Sequence, residues 1–146
     1  MKRVLWLLAL VVVAAGAWVR LAPSDPAVWH VDPVTEAAAD GTVRAGMAEA
    51  RVALVLPGTP EEALAQLDAI AVATPRTIRL AGSAVEGRIT WVTRSALWGF
   101  PDYTTAAARA EGEGTRLDLF GRLRFGASDL GVNAARLADW VARLKG

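Results

Sequence analysis

Polar side chains able to bind or transform a ligand gather in three stretches of this chain. Arg94 and Ser95 precede Leu97-Trp98-Gly99-Phe100-Pro101-Asp102-Tyr103. Arg122 and Arg124 alternate near the end of an apolar run. Ser128, Asp129, Asn133 and Arg136 follow shortly after. Arginine presents forked donors to phosphate or carboxylate. Trp98, Phe100 and Tyr103 add apolar walls, so together these types suit a pocket for a small anionic ligand or a lipid headgroup. Catalysis has less to work with. The available bases are Asp102, Asp118 and Asp129, with no second carboxylate at a diagnostic spacing. Ser95 and Ser128 lie outside any G-x-S-x-G turn and have no histidine nearby in sequence. The single histidine, His30, falls in a proline-rich stretch. With no cysteine at all, disulfides, thiol nucleophiles, lipidated cysteine and Cys-ligated metal centres are excluded. The expectation is a site with no metal and no cofactor.

The elements that must position these groups can be read from periodicity. Arg51–Leu56 reads as a strand stopped by Pro57-Gly58. Thr59-Pro60-Glu61-Glu62 is a capping box with proline at the first helical position. Leu64, Leu67, Ile70 and Ala71 then predict a helix over 60–72. Beyond it, 77–81 and 88–95 form one β-hairpin pattern, and 103–110 and 115–125 form another around Glu111-Gly112-Glu113-Gly114. On the last strand Leu117, Leu119, Leu123 and Phe125 share one face, Gly121 among them, while Arg116, Asp118, Phe120, Arg122 and Arg124 share the other. Leu130, Ala134, Leu137, Val141 and Leu144 mark a closing helix. Trp91 and Trp140 read as packing residues, and Asn133, Arg136, Trp140 and Arg143 share what reads as its solvated side. The order β-α-β-β-β-β-α describes one α+β domain over 46–146: a mostly antiparallel five-stranded sheet with two helices on one face, helix-grip-like by analogy of fold.

The chain of 146 residues carries a net charge of +1, but unevenly. Residues 1–22 hold Lys2, Arg3 and Arg20 without an acid, leaving thirteen basic against fifteen acidic side chains beyond them. A mildly acidic domain argues against nucleic acid as partner. Val4–Val19 is an unbroken apolar run. As a helix it spans roughly 24 Å, extended by Leu21 and Ala22 if Arg20 snorkels, with Trp6 and Trp18 near the interfaces. The positive-inside bias keeps the N-terminus cytoplasmic and sends the rest outward. The expected place is the inner membrane, held by residues 4–22, with a periplasmic domain. A retained anchor is favoured over a signal cleaved at Ala15-Gly16-Ala17. Residues 23–45, with Pro23, Pro26 and Pro33, read as a tether pinned by Trp29.

Three stretches carry a family resemblance: Ala22-Pro23-Ser24-Asp25-Pro26 with Trp29-His30; Arg88–Ser95 continuing through Gly99-Phe100-Pro101-Asp102-Tyr103; and Gly121–Asn133 with Arg136. Over roughly 22–143 the chain resembles the uncharacterised bacterial family called domain of unknown function 1499, most specifically in the S-D-x-G-x-N-x-x-R run at 128–136. The resemblance implies a hydrophobic N-terminal segment and no particular activity, substrate or cofactor. The family's usual basic residue after the asparagine is Ala134 here.

In an antiparallel sheet the three polar stretches fall at one edge, so Arg94, Trp98, Asp102, Tyr103, Arg122, Arg124, Ser128, Asp129 and Asn133 are expected to converge near the start of the last helix. Two descriptions fit them. In one they line a ligand pocket. In the other Ser128 and Asp129 cap a helix, Arg94–Asp102 and Arg124–Asp129 fix loops as ion pairs, and the strand arginines are a solvated face. The expected function is a non-catalytic, membrane-anchored envelope domain that binds a small ligand or lipid or scaffolds other proteins. The alternative is an enzyme on an acidic or lipid-like substrate, with Arg94, Arg122 and Asp129 in its site.

Overall fold

The computed structural model describes residues 1–146. Helix α1 (Lys2–Leu21) has no buried residue and meets the domain through its C-terminal half, where Gly16 faces Trp98 and Arg20 crosses Gly99. A single turn, α2 (Pro26–Trp29), is capped by Asp25, whose side chain accepts from Ala27 N. Then follow β1 (Arg44–Ala45), β2 (Glu49–Leu56), α3 (Pro60–Ala73), β3 (Thr77–Ser83), β4 (Arg88–Arg94), β5 (Pro101–Glu111), β6 (Gly114–Leu123) and α4 (Val132–Lys145). The strands form one open antiparallel sheet in the order β1-β2-β6-β5-β4-β3.

The sheet has six strands rather than the expected five. The extra one pairs Arg44 with Arg51 and Ala45 with Ala50 at the edge, and Asp40 bridges to Leu54 just before it. Two residues are too few to show an alternating pattern, which is why β1 left no signal in the sequence. The expected capping box is present: Thr59 N donates to Glu62 Oε2 at 2.9 Å and Glu62 N to Thr59 Oγ1 at 3.2 Å. It starts α3 where the sequence pattern placed it.

Cross-strand pairing sorts the side chains onto two faces. Val52, Leu119 and Ala106 are successive partners, as are Leu54, Leu117 and Ala108. These, with Ile89 and Trp91, meet Leu64, Leu67 and Ala71 of α3 and Leu137, Trp140 and Val141 of α4 in the main core. Of the face of α4 expected to be solvated only Arg143 is exposed; Arg136 is half-buried, and Asn133 and Trp140 are fully enclosed. Trp140 packs edge-on against Trp91 with ring centroids 5.5 Å apart. Each indole has a partner, Trp140 Nε1 donating to Thr74 Oγ1 and Trp91 Nε1 to Asp68 Oδ1, both at 2.9 Å, as buried indoles require.

The second face is covered as well, by residues 23–42. Trp29 stacks on Tyr103 with centroids 3.8 Å apart, and its carbonyl accepts from Thr105 Oγ1 at 3.3 Å and from Arg122. His30 Nδ1 bonds Thr90 Oγ1 at 2.8 Å; burial, with Arg88 nearby, lowers its pKa, so the ring is neutral at pH 7. Asp118, fully enclosed, lies between Arg109 at 2.7 Å and Arg116 at 3.2 Å. Arg116 Nη2 in turn donates to the carbonyls of Thr35 and Ala37, both at 2.8 Å. The strand arginines are therefore not a solvated face, because the proline-rich segment lies across them.

Removing one member of a buried ion pair strands its partner. Asp118→Asn in residues 23–146 is expected to lose about 3–5 kcal/mol of stability in urea unfolding. Asp139→Asn breaks the exposed pair with Arg143 and should change stability by less than about 1 kcal/mol.

Candidate functional site

Arg94 lies opposite Pro101, and Asp102 opposite Leu123, so the ends of β4 and β6 and the start of β5 share one sheet edge. The pleat then separates the residues expected to converge. Neighbours along a strand point to opposite faces, so Asp102 projects toward the helices while Tyr103 projects toward residues 23–42. The nine side chains fall into three groups.

The first group stands at the foot of α4. Asp129 Oδ1 accepts from Gly131 N at 2.9 Å, and its Oδ2 accepts from Asn133 N at 3.0 Å and Asn133 Nδ2 at 2.7 Å. Asn133 Oδ1 accepts from Arg136 Nη1 at 2.6 Å, and Arg136 Nη2 reaches Asp102 at 3.3 Å. Ser128 Oγ accepts from Leu130 N at 3.2 Å. Gly121 makes the arrangement fit, since a β-carbon there would lie 3.2 Å from Asn133 Oδ1. The S-D-x-G-x-N-x-x-R run is thus a chain of hydrogen bonds tying the start of α4 to the sheet. Asp102 pairs with Arg136, not with Arg94. A cavity of about 350 Å³ opens beside the group, lined in part by Ser95, Phe100, Asp102, Ser128 and Asp129.

The two carboxyls there are pushed in opposite directions. Burial raises the pKa of Asp102, opposed by Arg136 and reinforced by the charge of Asp129. Burial also acts against ionised Asp129, but the backbone donors of Asn133 and Gly131 outweigh it and hold that pKa low.

The second group lies under residues 23–30. The Tyr103 hydroxyl bonds Ser24 Oγ at 2.8 Å and accepts from Arg124 Nη1 at 3.1 Å. Arg124 Nη1 also donates to the Pro23 carbonyl at 2.7 Å rather than pairing with Asp129. The Arg122 guanidinium lies 4.7 Å from the Phe120 ring centroid and 5.4 Å from that of Trp29. Its Nη1 is buried without a partner. Burial, with Arg51 close by, lowers its pKa to about 10, so it stays charged at neutral pH.

The third group is Arg94 and Trp98. Arg94 Nη1 donates to the Gly99 carbonyl at 3.0 Å, which shapes the loop 95–100. Trp98 leans on α1, lining an apolar groove with Val12, Gly16 and Val19. Beside Arg94 is a cavity of about 240 Å³ whose walls include Arg20 and Arg76. Sequence reasoning missed those two as site residues. Arg20 stood out only as a snorkelling end of the apolar run, and Arg76 follows Thr74-Pro75 with no pattern to mark it. No three His, Cys, Asp or Glu side chains are grouped to hold a metal ion.

The opposed pKa shifts predict opposite pH slopes. Asp129, held low, adds stability above the ordinary carboxylate value and loses it as pH falls through its depressed value. Asp102, held high, takes up a proton on folding, so its contribution falls as pH rises from 3.8 through the raised value. As pH rises toward the ordinary carboxylate value of 3.8, the Tm of Asp129→Asn relative to the parent should fall; as pH rises above that value, the Tm of Asp102→Asn relative to the parent should rise.

Comparison with known proteins adds a family but no activity. No curated protein matches the chain. A solved structure from Thermus thermophilus is similar at 17% identity over 66% of this chain and 97% of that one, with a TM-score of 0.36. A family model described as "Protein of unknown function (DUF1499)" matches residues 27–144. That span starts within α2 and so takes in most of the segment lying over the second face. The chain belongs to the family DUF1499.

Proposed function

We propose that the protein is a membrane-anchored, extracytoplasmic domain that binds a small ligand or lipid at the membrane surface without catalysing a reaction. The observation that carries this reading is α1: twenty residues, none buried in the protein, of which the most apolar eighteen have a mean hydropathy of 2.2. An apolar helix of that length, about 30 Å, matches a bilayer's hydrocarbon core, and water would be a costly solvent for it. Loop 95–100 supports the same reading, since Leu97, Trp98 and Phe100 are exposed beside the outward end of α1. Lys2 and Arg3 at the other end favour a cytoplasmic N-terminus.

An enzyme acting on an acidic or lipid-like substrate is the second reading, and the raised pKa of Asp102 beside a cavity is what favours it. The hydrogen bonds weigh the other way. Asp102 is tied to Arg136, both oxygens of Asp129 are occupied by donors, and no histidine lies near either.

The full chain is expected to remain in membranes washed with alkaline carbonate, and a phosphatase fused after Gly146 to be active only when folded outside the cytoplasm. Release of intact chain by carbonate, or an inactive phosphatase fusion made in normal amount, would overturn the anchored, outward-facing reading. Turnover of a lipid ester that Asp102→Asn abolishes would move the assignment to the enzyme.

A further inference from the structure

Arg20, Arg76 and Arg94 come from the end of α1, the turn after α3 and the end of β4, yet all three line the same cavity of about 240 Å³. Ile78, Val92 and Ser95 are among its other walls, and no carboxylate is. None of the three arginines has an acidic side chain within ion-pair distance. Two are held by backbone carbonyls instead: Arg76 Nε donates to Arg94 O and Arg94 Nη1 to Gly99 O, each at 3.0 Å. A guanidinium has five N–H donors, so most of theirs remain for a ligand. Arg76 also holds a backbone φ of 59°, in the left-handed region that a non-glycine residue rarely occupies. Three cations around a small cavity repel one another until an anion joins them.

The apolar groove lined by Val12, Ala15, Gly16, Val19, Trp98 and Phe100, about 280 Å³, lies beside this cavity. No residue lines both, but their walls are consecutive in the chain: Val19 and Arg20 in α1, and Trp98, Gly99 and Phe100 in loop 95–100. Trp98 packs over Gly16, where a β-carbon would sit 3.6 Å from its ring, and the Arg20 side chain crosses Gly99, 3.2 Å from where a β-carbon would be. The groove runs along the part of α1 that lies in hydrocarbon when the helix spans a bilayer. The arginines stand at its end, at headgroup depth.

We propose that these two cavities together bind an anionic membrane lipid, its phosphate among Arg20, Arg76 and Arg94 and one acyl chain in the groove between α1 and Trp98. The inference rests on α1 spanning the bilayer. Charge selects an anionic headgroup over a zwitterionic one, because a compensating ammonium would meet three guanidiniums. The adjoining groove selects a lipid over a free anion.

The test is native mass spectrometry of the full chain in mild detergent, titrated with dioleoyl phosphatidylglycerol, dioleoyl phosphatidylcholine or inorganic phosphate. Phosphatidylglycerol adducts should be at least fivefold more populated than phosphatidylcholine adducts. Arg76→Gln/Arg94→Gln should lower them at least fivefold, and Arg143→Gln on α4 should leave them unchanged. Because Arg94 shapes its loop, Arg76→Gln alone serves as the milder variant: it gives up one exposed hydrogen bond, to Arg94 O, and is expected to lower occupancy at least threefold while the chain stays folded, with a Tm only a few degrees lower. Equal uptake of the two lipids, or occupancy indifferent to Arg76, would overturn the proposal. An inorganic phosphate adduct with the same arginine dependence would make this a solute-anion site instead. Carbonate extraction of the same chain separates the two failures: a chain that stays in membranes without lipid selectivity loses only the lipid site, whereas an extracted chain loses the anchor on which it rests.

Discussion

Asp118 is a carboxylate in the middle strand region of a sheet with no access to water, and the way it is neutralised organises much of the surrounding structure. Arg109 reaches it from the neighbouring strand and Arg116 from two residues away on its own strand. Arg116 also grips the carbonyls of Thr35 and Ala37. A buried ion pair repays its desolvation only when the remaining donors find partners. Here those partners belong to the segment that does the burying. The cover and the charge cluster therefore depend on each other, and neither makes sense as an open surface. The same logic repeats along the face, where Thr90, Thr105 and Arg122 bond to His30 and Trp29.

Covering both faces gives the domain two unlike layers. On one side α3 and α4 bury aliphatic side chains and two tryptophans whose indoles each find an acceptor. On the other, a strip of chain with almost no regular structure is held by side chains donating to its carbonyls. Irregular backbone can lie on a sheet only if its polar groups are met, and arginines and threonines supply that here. This accounts for the abundance of arginine on β6 without any ligand.

The start of α4 shows how a motif dense in polar residues can be fully used in packing. Asp129, Asn133, Arg136 and Asp102 form one continuous hydrogen-bonded chain, made possible by the missing side chain at Gly121. Groups so engaged are poor donors and acceptors for anything else. By contrast Arg20, Arg76 and Arg94 are left without counter-charge where the domain meets α1.

Local pattern determined much of this protein from sequence alone. The apolar run of α1, the capping box of α3, the two hairpins and the amphipathic stripe of α4 each depend on residues a few positions apart, so they are legible without a fold. So was the likeness to its family. The candidate site was legible only as a set of residue types. Which of them meet was decided by the pleat, which sends Asp102 and Tyr103 to opposite faces, and by long-range contacts, which bring Pro23 to Arg124 and Trp29 to Arg122, 101 and 93 residues away. Arg76 and Arg20 carry no periodic signal, because their shared cavity exists only where three elements distant in sequence come together. The burial of Asn133 and Trp140 was likewise hidden. A helix's polar face is distinguishable from its solvated face only once something packs against it, and here that something is the sheet around Gly121 and the edge of Trp91.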